Sequence, residues 1–258
     1  MLRFRSLGSG SSGNATVVEA GSGRQVRRLL VDCGLGLKQL EQRLARAGLT
    51  ACDIDAIFIT HEHGDHIGCA HTLALRERIP VWMSLGTYSA IGSPDFSGLL
   101  THAADGSAID LGEFCVTPFT VPHDAREPLQ LRCADGDASL SILTDLGHAT
   151  AHVLEQLARC DALLLECNHE SALLEASTYP AFLKKRVGGK YGHLSNEDAG
   201  QIARAVCHAG LRTVVAAHLS EKNNSPRLAR AALAEALGWS VTDIGVADPV
   251  HGTDWIRV

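Results

Sequence analysis

Apolar positions along the chain fall into two rhythms. Short β-rich runs at Leu2 to Leu7, Ala15 to Ala20, Val26 to Asp32 and Ile54 to Thr60 read as strands, while Leu37 to Ala47 and His66 to Arg78 carry helical periodicity. The second half repeats the alternation. Strands are predicted at Phe114 to Val121, Leu129 to Cys133, Leu140 to Asp145, Asp161 to Cys167 and Thr213 to Ala217, and helices at Thr150 to Ala158, Asn196 to His208 and Pro226 to Leu237. Short edge strands at Ser240 to Ile244 and Thr253 to Val258 close the pattern. The class is mixed α/β. The Gly/Ser run from Gly8 to Asn14 lies between two strands, so it is expected to be a turn that brings backbone close to a site rather than a hinge. No linker or internal repeat is visible, and residues 1–258 are expected to form a single domain.

Composition narrows the class without selecting a function. With 258 residues, 45% apolar and 20% charged, the chain has material for a large core. It shows no signal peptide and no run near the roughly 18 apolar residues of a spanning helix, which predicts a cytoplasmic protein without a membrane partner. Eight cysteines are scattered singly with no C-x-x-C pair, the usage of a reducing compartment. A net charge of −6 gives no global attraction for nucleic acid, so any polyanion site must be built locally.

Chemistry concentrates where the strand ending at Thr60 runs into His61-Glu62-His63-Gly64-Asp65-His66. Side chains two apart on extended backbone point the same way, so His61 and His63 can face one metal. Gly64 permits a turn, after which Asp65 and His66 open a helix and can reach a second ion. Imidazole and carboxylate donors suit zinc, with manganese or iron acceptable at a mixed N/O site. Two ions need further ligands, and His123, Asp145 and His218 stand at the ends of later strands, where an α/β scaffold gathers side chains. Asp32 ends another strand and is a candidate to orient a ligand histidine.

These residues resemble the metallo-β-lactamase superfamily, whose H-x-H-x-D-H signature is met by His61, His63, Asp65 and His66. The resemblance implies a four-layer αβ/βα sandwich with two divalent metal ions at its rim. It further implies His61, His63 and His123 on one ion, Asp65, His66 and His218 on the other, and Asp145 bridging them.

Fold does not fix substrate. Two divalent ions bring +4, Asp65 and Asp145 remove two charges and a hydroxide one, leaving about +1, which favours an anionic phosphodiester over a neutral amide. Gly192-His193-Leu194-Ser195 resembles the segment that carries a non-ligand histidine in RNase Z-like phosphodiesterases. His193 is therefore expected, with Asp65, to be catalytic, able to give a proton to the leaving oxygen. Lys184, Lys185, Arg186 and Lys190 gather cations in an acidic chain and are candidate phosphate contacts, as are Asn223 and Asn224 before the helix at Pro226. Across nearly the whole chain, segments such as Pro122-His123-Asp124-Ala125, Glu166-Cys167-Asn168-His169-Glu170 and His218 to Asn224 resemble the YycJ/WalJ group. That implies a nuclease, with 5′ to 3′ digestion of double-stranded DNA favoured over RNA. The residues themselves leave open a small-molecule hydrolase acting on a thioester, lactone or lactam, an RNA-processing nuclease, and a regulatory binding protein without turnover. Few aromatics (5%) point to contact with the nucleic-acid backbone rather than the bases.

Overall fold

The computed structural model describes residues 1–22 and 25–258. One sheet contains β1 (Leu2–Gly8), β2 (Ala15–Ser22), β3 (Gln25–Val31), β4 (Ala56–Phe58), β5 (Val81–Met83) and β6 (Leu100–His102), with β14 (Ile256–Arg257) beside β1 at the opposite edge. The other contains β7 (Ile109–Asp110), β8 (Cys115–Thr120), β9 (Leu129–Ala134), β10 (Ser139–Leu143), β11 (Ala162–Glu166), β12 (Thr213–Ala217) and β13 (Ile244–Val246). The two share a plan. In each, the first strands pair antiparallel and the last pair parallel: β3 to β6 in one, β10 to β13 in the other.

Parallel pairs need crossovers, and helices provide them on the outer faces. They are α1 (Leu37–Arg46), α2 (Gly64–Ile67), α3 (Ala70–Glu77) and α4 (Leu85–Ala90) on the first sheet. On the second they are α5 (Ala151–Leu157), α6 (Ser171–Ala176), α7 (Ala181–Val187), α8 (Asn196–Val206) and α9 (Pro226–Leu237). Strand β3 shows why the layers form. Leu29 and Val31 enter the core between the sheets with Phe4, Phe58, Leu131 and Leu164, while Leu30 packs outward with Leu40, Leu44 and Leu73. Both faces are buried at this end of the strand, so Leu29-Leu30-Val31 reads as a continuous apolar run, whereas Gln25, Val26 and Arg27 before it are exposed. The matching outer core of the second sheet joins Leu163 and Leu165 to Val153, Ile202 and Leu233. The result is the expected four-layer αβ/βα sandwich.

Two predicted elements differ. The helix expected over His66 to Arg78 is broken into α2 and α3 at Gly68, whose φ is 29°. A Cβ there would lie 2.2 Å from the Cys33 carbonyl oxygen, so close backbone contact interrupts the helix. The edge strand expected at Ser240 to Ile244 is a 3₁₀ turn over Val241–Asp243, capped by Ser240, with the strand starting only at Ile244. Elements β5, α4 and β6, between residues 81 and 102, add to the elements that the apolar pattern predicts. No described helix is long and apolar enough to cross a membrane, and all eight cysteines are free thiols.

Candidate metal centre

The chain leaves β4, β8, β10 and β12 toward one rim, where His61, His123, Asp145 and His218 are all buried. Backbone conformation aims these side chains. Asp145 and His218, just past β10 and β12, have φ of 57° and 53°, and Asp32, the residue after β3, has 61°. This left-handed region is uncommon outside glycine, and its use three times at one rim marks a site whose geometry is imposed. The Gly/Ser turn reaches the same rim, as expected. Ser9 Oγ accepts from the His218 amide at 2.8 Å, and the Asn14 amide donates to the Asp65 carbonyl at 2.8 Å. Gly34 completes this contact, since a Cβ at that position would sit 1.6 Å from the same Asp65 oxygen.

Two groups of donor atoms result. His63 Nδ1 lies 3.1 Å from His61 Nε2 and 3.3 Å from His123 Nε2. Unprotonated ring nitrogens cannot bond to one another, but ligands of one tetrahedral ion at about 2.0–2.1 Å stand about 3.4 Å apart. In the second group, Asp65 Oδ2 is 3.6 Å from both His66 Nε2 and His218 Nε2. Asp145 lies between them, with Oδ2 3.0 Å from His66 Nε2 and Oδ1 3.9 Å from His123 Nε2. His218 Nε2 and Asp145 Oδ2 are buried without a hydrogen-bond partner, which is costly unless a cation takes that role. The nitrogen and oxygen donors fit divalent metal ions.

At His66, His123 and His218 the opposite nitrogen is tied down. His66 Nδ1 donates to Asp32 Oδ2 at 2.7 Å, and Asp32 also accepts from the Thr60 amide at 2.9 Å. His123 Nδ1 donates to the Gly192 carbonyl at 3.0 Å. His218 and His193 both direct Nδ1 at Glu166 Oε1, at 3.1 and 2.8 Å. Such bonds fix the tautomer and ring orientation of a ligand. Glu166 is the residue sequence reasoning missed. It ends the apolar strand Ala162-Leu163-Leu164-Leu165, and a carboxylate in that position must be paired once buried. Asp145, Glu166, His193 and His218 also bring four ligand-type atoms together. Because the histidines present the nitrogens that serve Glu166 as donors, this is a hydrogen-bonded network rather than a third metal position.

Electrostatics separate the rings in the metal-free protein. Burial, reinforced by His66, pushes His61 well down, and burial likewise lowers His123, leaving neutral rings with free lone pairs. Burial also opposes charge on His66 and His218, but Asp145 and Asp32 outweigh it at His66, and Asp145, Asp65 and Glu166 carry His218 to about 10. Glu166 is buried too, yet His193 and His218 draw it down to about 2. The carboxylates thus create a field that either protons or metal cations must neutralise.

Stability of the metal-free protein should peak near pH 6.5, the ordinary histidine value. Above it, His66, His193 and His218 are raised in the fold, so the native state holds protons the unfolded chain has lost, and stability falls as pH climbs toward 10. Below it, His61 and His123 are lowered, so the unfolded chain takes up protons first and stability falls again. Thermal melts in chelator across pH 5 to 10 test this, and saturating zinc should abolish the alkaline decline. A flat alkaline limb without metal would refute the assignment of charge. Separately, Glu166→Gln should weaken metal binding by about 10- to 100-fold while keeping the fold, measured by chelator competition.

A cavity of about 400 Å³ opens over these groups, bounded by His63, Asp65, Asp124, Tyr179, Arg186 and His193 among others. Of the six predicted substrate contacts only Arg186 lines it, with Nε 2.6 Å from Asp124 Oδ2. Because residues 181–187 are helical, the cationic run fans out. Lys184 Nζ turns back to the Glu175 carbonyl, while Lys185 and Lys190 are exposed outside the cavity wall. Asn224 is an interior brace, its amide spent on the Cys167 carbonyl at 2.7 Å and on Asn196 at 2.9 Å. Asn223 is buried and lies outside the cavity wall as well.

Comparison with known proteins agrees with this architecture. A family model described as a beta-lactamase superfamily domain matches residues 27–219. Exodeoxyribonuclease YycJ of Bacillus anthracis is 32% identical over 98% of this chain and 96% of its own, and exodeoxyribonuclease WalJ of Streptococcus pneumoniae is 30% identical over 98% and 94%. In fold, the chain resembles the metallo-β-lactamase fold protein YhfI of Bacillus subtilis, with a TM-score of 0.76 at 18% identity over 99% of this chain and 98% of that one. The chain belongs to the metallo-β-lactamase superfamily and, within it, to the YycJ/WalJ group of metal-dependent hydrolases.

Proposed function

We propose that this protein is a dinuclear-metal phosphodiesterase of nucleic acid, a DNA exonuclease digesting duplexes 5′ to 3′ as a single domain in the cytoplasm. The observation that carries the reading is His193. It faces the cavity beside the donor cluster, and burial there is outweighed by Glu166, which holds its imidazole above the ordinary value. A thioester releases a thiolate that needs no such group, whereas a departing sugar oxygen does.

His61, His63 and His123 would hold one metal, Asp65, His66 and His218 the other, with Asp145 shared; zinc suits this donor set first, manganese or iron next. When bound, the two ions supply Lewis acidity at the phosphoryl oxygens and acidify the attacking water. The protein's own groups do the rest. His193 Nδ1 is pinned to Glu166, so its Nε2 proton is the one available to the leaving oxygen. Asp65 Oδ2 stands 3.6 Å from both His66 Nε2 and His218 Nε2, where it would join them on the second ion, and it accepts from the Asn14 side chain at 3.3 Å. Arg186, braced by Asp124, meets the anionic substrate at the mouth. The names of the full-length relatives, both exodeoxyribonucleases, favour DNA over RNA.

The test is digestion of end-labelled single- and double-stranded DNA and RNA by metal-loaded protein, beside a thioester and a lactam, with His63→Ala as blank. The expected result is release of mononucleotides from the 5′ ends of duplex DNA. Faster cleavage of RNA would overturn the DNA preference, and turnover confined to the thioester or lactam would overturn the phosphodiesterase reading.

A further inference from the structure

We propose that the segment from Tyr179 to Tyr191 is a base-stacking platform. Phe182 and Tyr191 would lie against nucleobases that flank the reacting phosphodiester, with Lys185, Arg186 and Lys190 on the intervening phosphates. The inference rests on the proposed nucleic-acid substrate and adds to it a mode of binding that backbone contact alone does not provide.

Phe182 is 75% exposed and Tyr191 62%, and they are the two aromatic residues among the large apolar side chains exposed in the described structure. The chain has six phenylalanines, three tyrosines and three tryptophans, so finding both exposed rings within ten residues of each other is a concentration, not scatter. A phenylalanine this open adds little to the core, and it is the grouping of two exposed rings on one segment that a partner-binding surface would use. Its position is specific. The same segment forms one wall of the cavity over the donor cluster through Tyr179, Leu183, Arg186 and Val187.

Ring and charge are interleaved. On α7, Lys185 and Arg186 follow Phe182 by three and four residues, the spacing of neighbours on a helix surface. Lys190 directly precedes Tyr191. Tyr179, in the cavity wall, has Lys222 Nζ 5.7 Å from its ring centre. Tyr191 is held by its backbone, since its carbonyl accepts from the Asp124 amide at 2.9 Å and the following carbonyl, of Gly192, accepts from the ligand-type residue His123. Its backbone is therefore anchored beside the centre, and its ring stands 6.4 Å from that of His148 in the wall of a neighbouring surface pocket. A protein with net charge −6 that places its exposed rings among three cations is complementary to a polyanion bearing flat bases. Stacking faces alternating with cations are the means by which single strands are bound without sequence preference, so the platform suits a frayed end leading into the cavity.

The experiment measures binding of metal-loaded, full-length protein to a fluorescent single strand with hydrolysis-resistant phosphorothioate linkages, and to an abasic strand of equal length and linkage, over a range of salt. Phe182→Ala and Tyr191→Ala should each weaken binding to the base-bearing strand by roughly 5- to 150-fold and leave the abasic strand unaffected. Lys185→Ala and Lys190→Ala should weaken both strands alike and lower the salt slope by about one each. Metal content and melting temperature of every variant confirm that the fold persists. Equal losses on the two strands, or none, from the aromatic variants would overturn the platform while leaving the nucleic-acid reading intact. Wild-type protein that binds neither strand would overturn the platform, and failure to bind a phosphorothioate duplex as well would overturn the nucleic-acid reading with it. A shift from dimer to monomer in Phe182→Ala by sedimentation, with strand binding unchanged, would assign the ring to self-association and overturn the proposal.

Discussion

Replacing Asp145 with asparagine should lower hydrolysis by about 10³-fold or more, because a step that loses about 4 kcal/mol of charge stabilisation slows by that factor. The substitution keeps volume and tolerates the left-handed backbone at this position, so the fold should survive. What it removes is the charge that sits between the two donor groups, 3.0 Å from His66 Nε2 in one and 3.9 Å from His123 Nε2 in the other. Bound metal should fall below two ions per chain, read by elemental analysis of dialysed protein with an unchanged circular dichroism spectrum. Two tightly held metals and full turnover in Asp145→Asn would show that the carboxylate is not shared.

His193→Ala separates proton delivery from metal binding. Its side chain faces the cavity but stands outside both donor groups, so metal content should match the wild type while cleavage of DNA falls by about 10²- to 10⁴-fold. The decisive comparison uses two leaving groups. A p-nitrophenyl ester departs without a proton, so the loss on that substrate should shrink to less than about tenfold if His193 acts as an acid. Equal losses on both substrates would mean that the ring serves only to position Glu166 and, through it, His218.

The sequence made the centre legible because its candidate ligands stand at the ends of recognisable strands. His61, His123, Asp145 and His218 can be nominated by placement alone, and the structure brings them to one rim. Less local features stay hidden. Val81-Trp82-Met83 is a parallel strand of three residues buried on both sides, too short for any period to register. Helix α2 stops at Gly68 because of the Cys33 carbonyl, a residue 35 positions earlier that no local pattern reveals. Glu166 reads in the sequence as part of a motif, and only its burial beside two imidazoles discloses its task. The cationic run is visible as composition, but the helix that sends Lys184 and Arg186 in different directions is not.

The left-handed residues Asp32, Asp145 and His218 carry a consequence for how such an enzyme can change. Glycine adopts that backbone without penalty, whereas a residue with a side chain holds it at a cost of about 1 kcal/mol or more. Drift under selection for folding alone would therefore favour glycine at these corners once the buried carboxylates and imidazoles that neutralise one another are lost together. A catalytically silent lineage should erode first at these corners and come out more heat-resistant than its working ancestor, so that thermal robustness in a relative lacking them would mark lost chemistry rather than improved design.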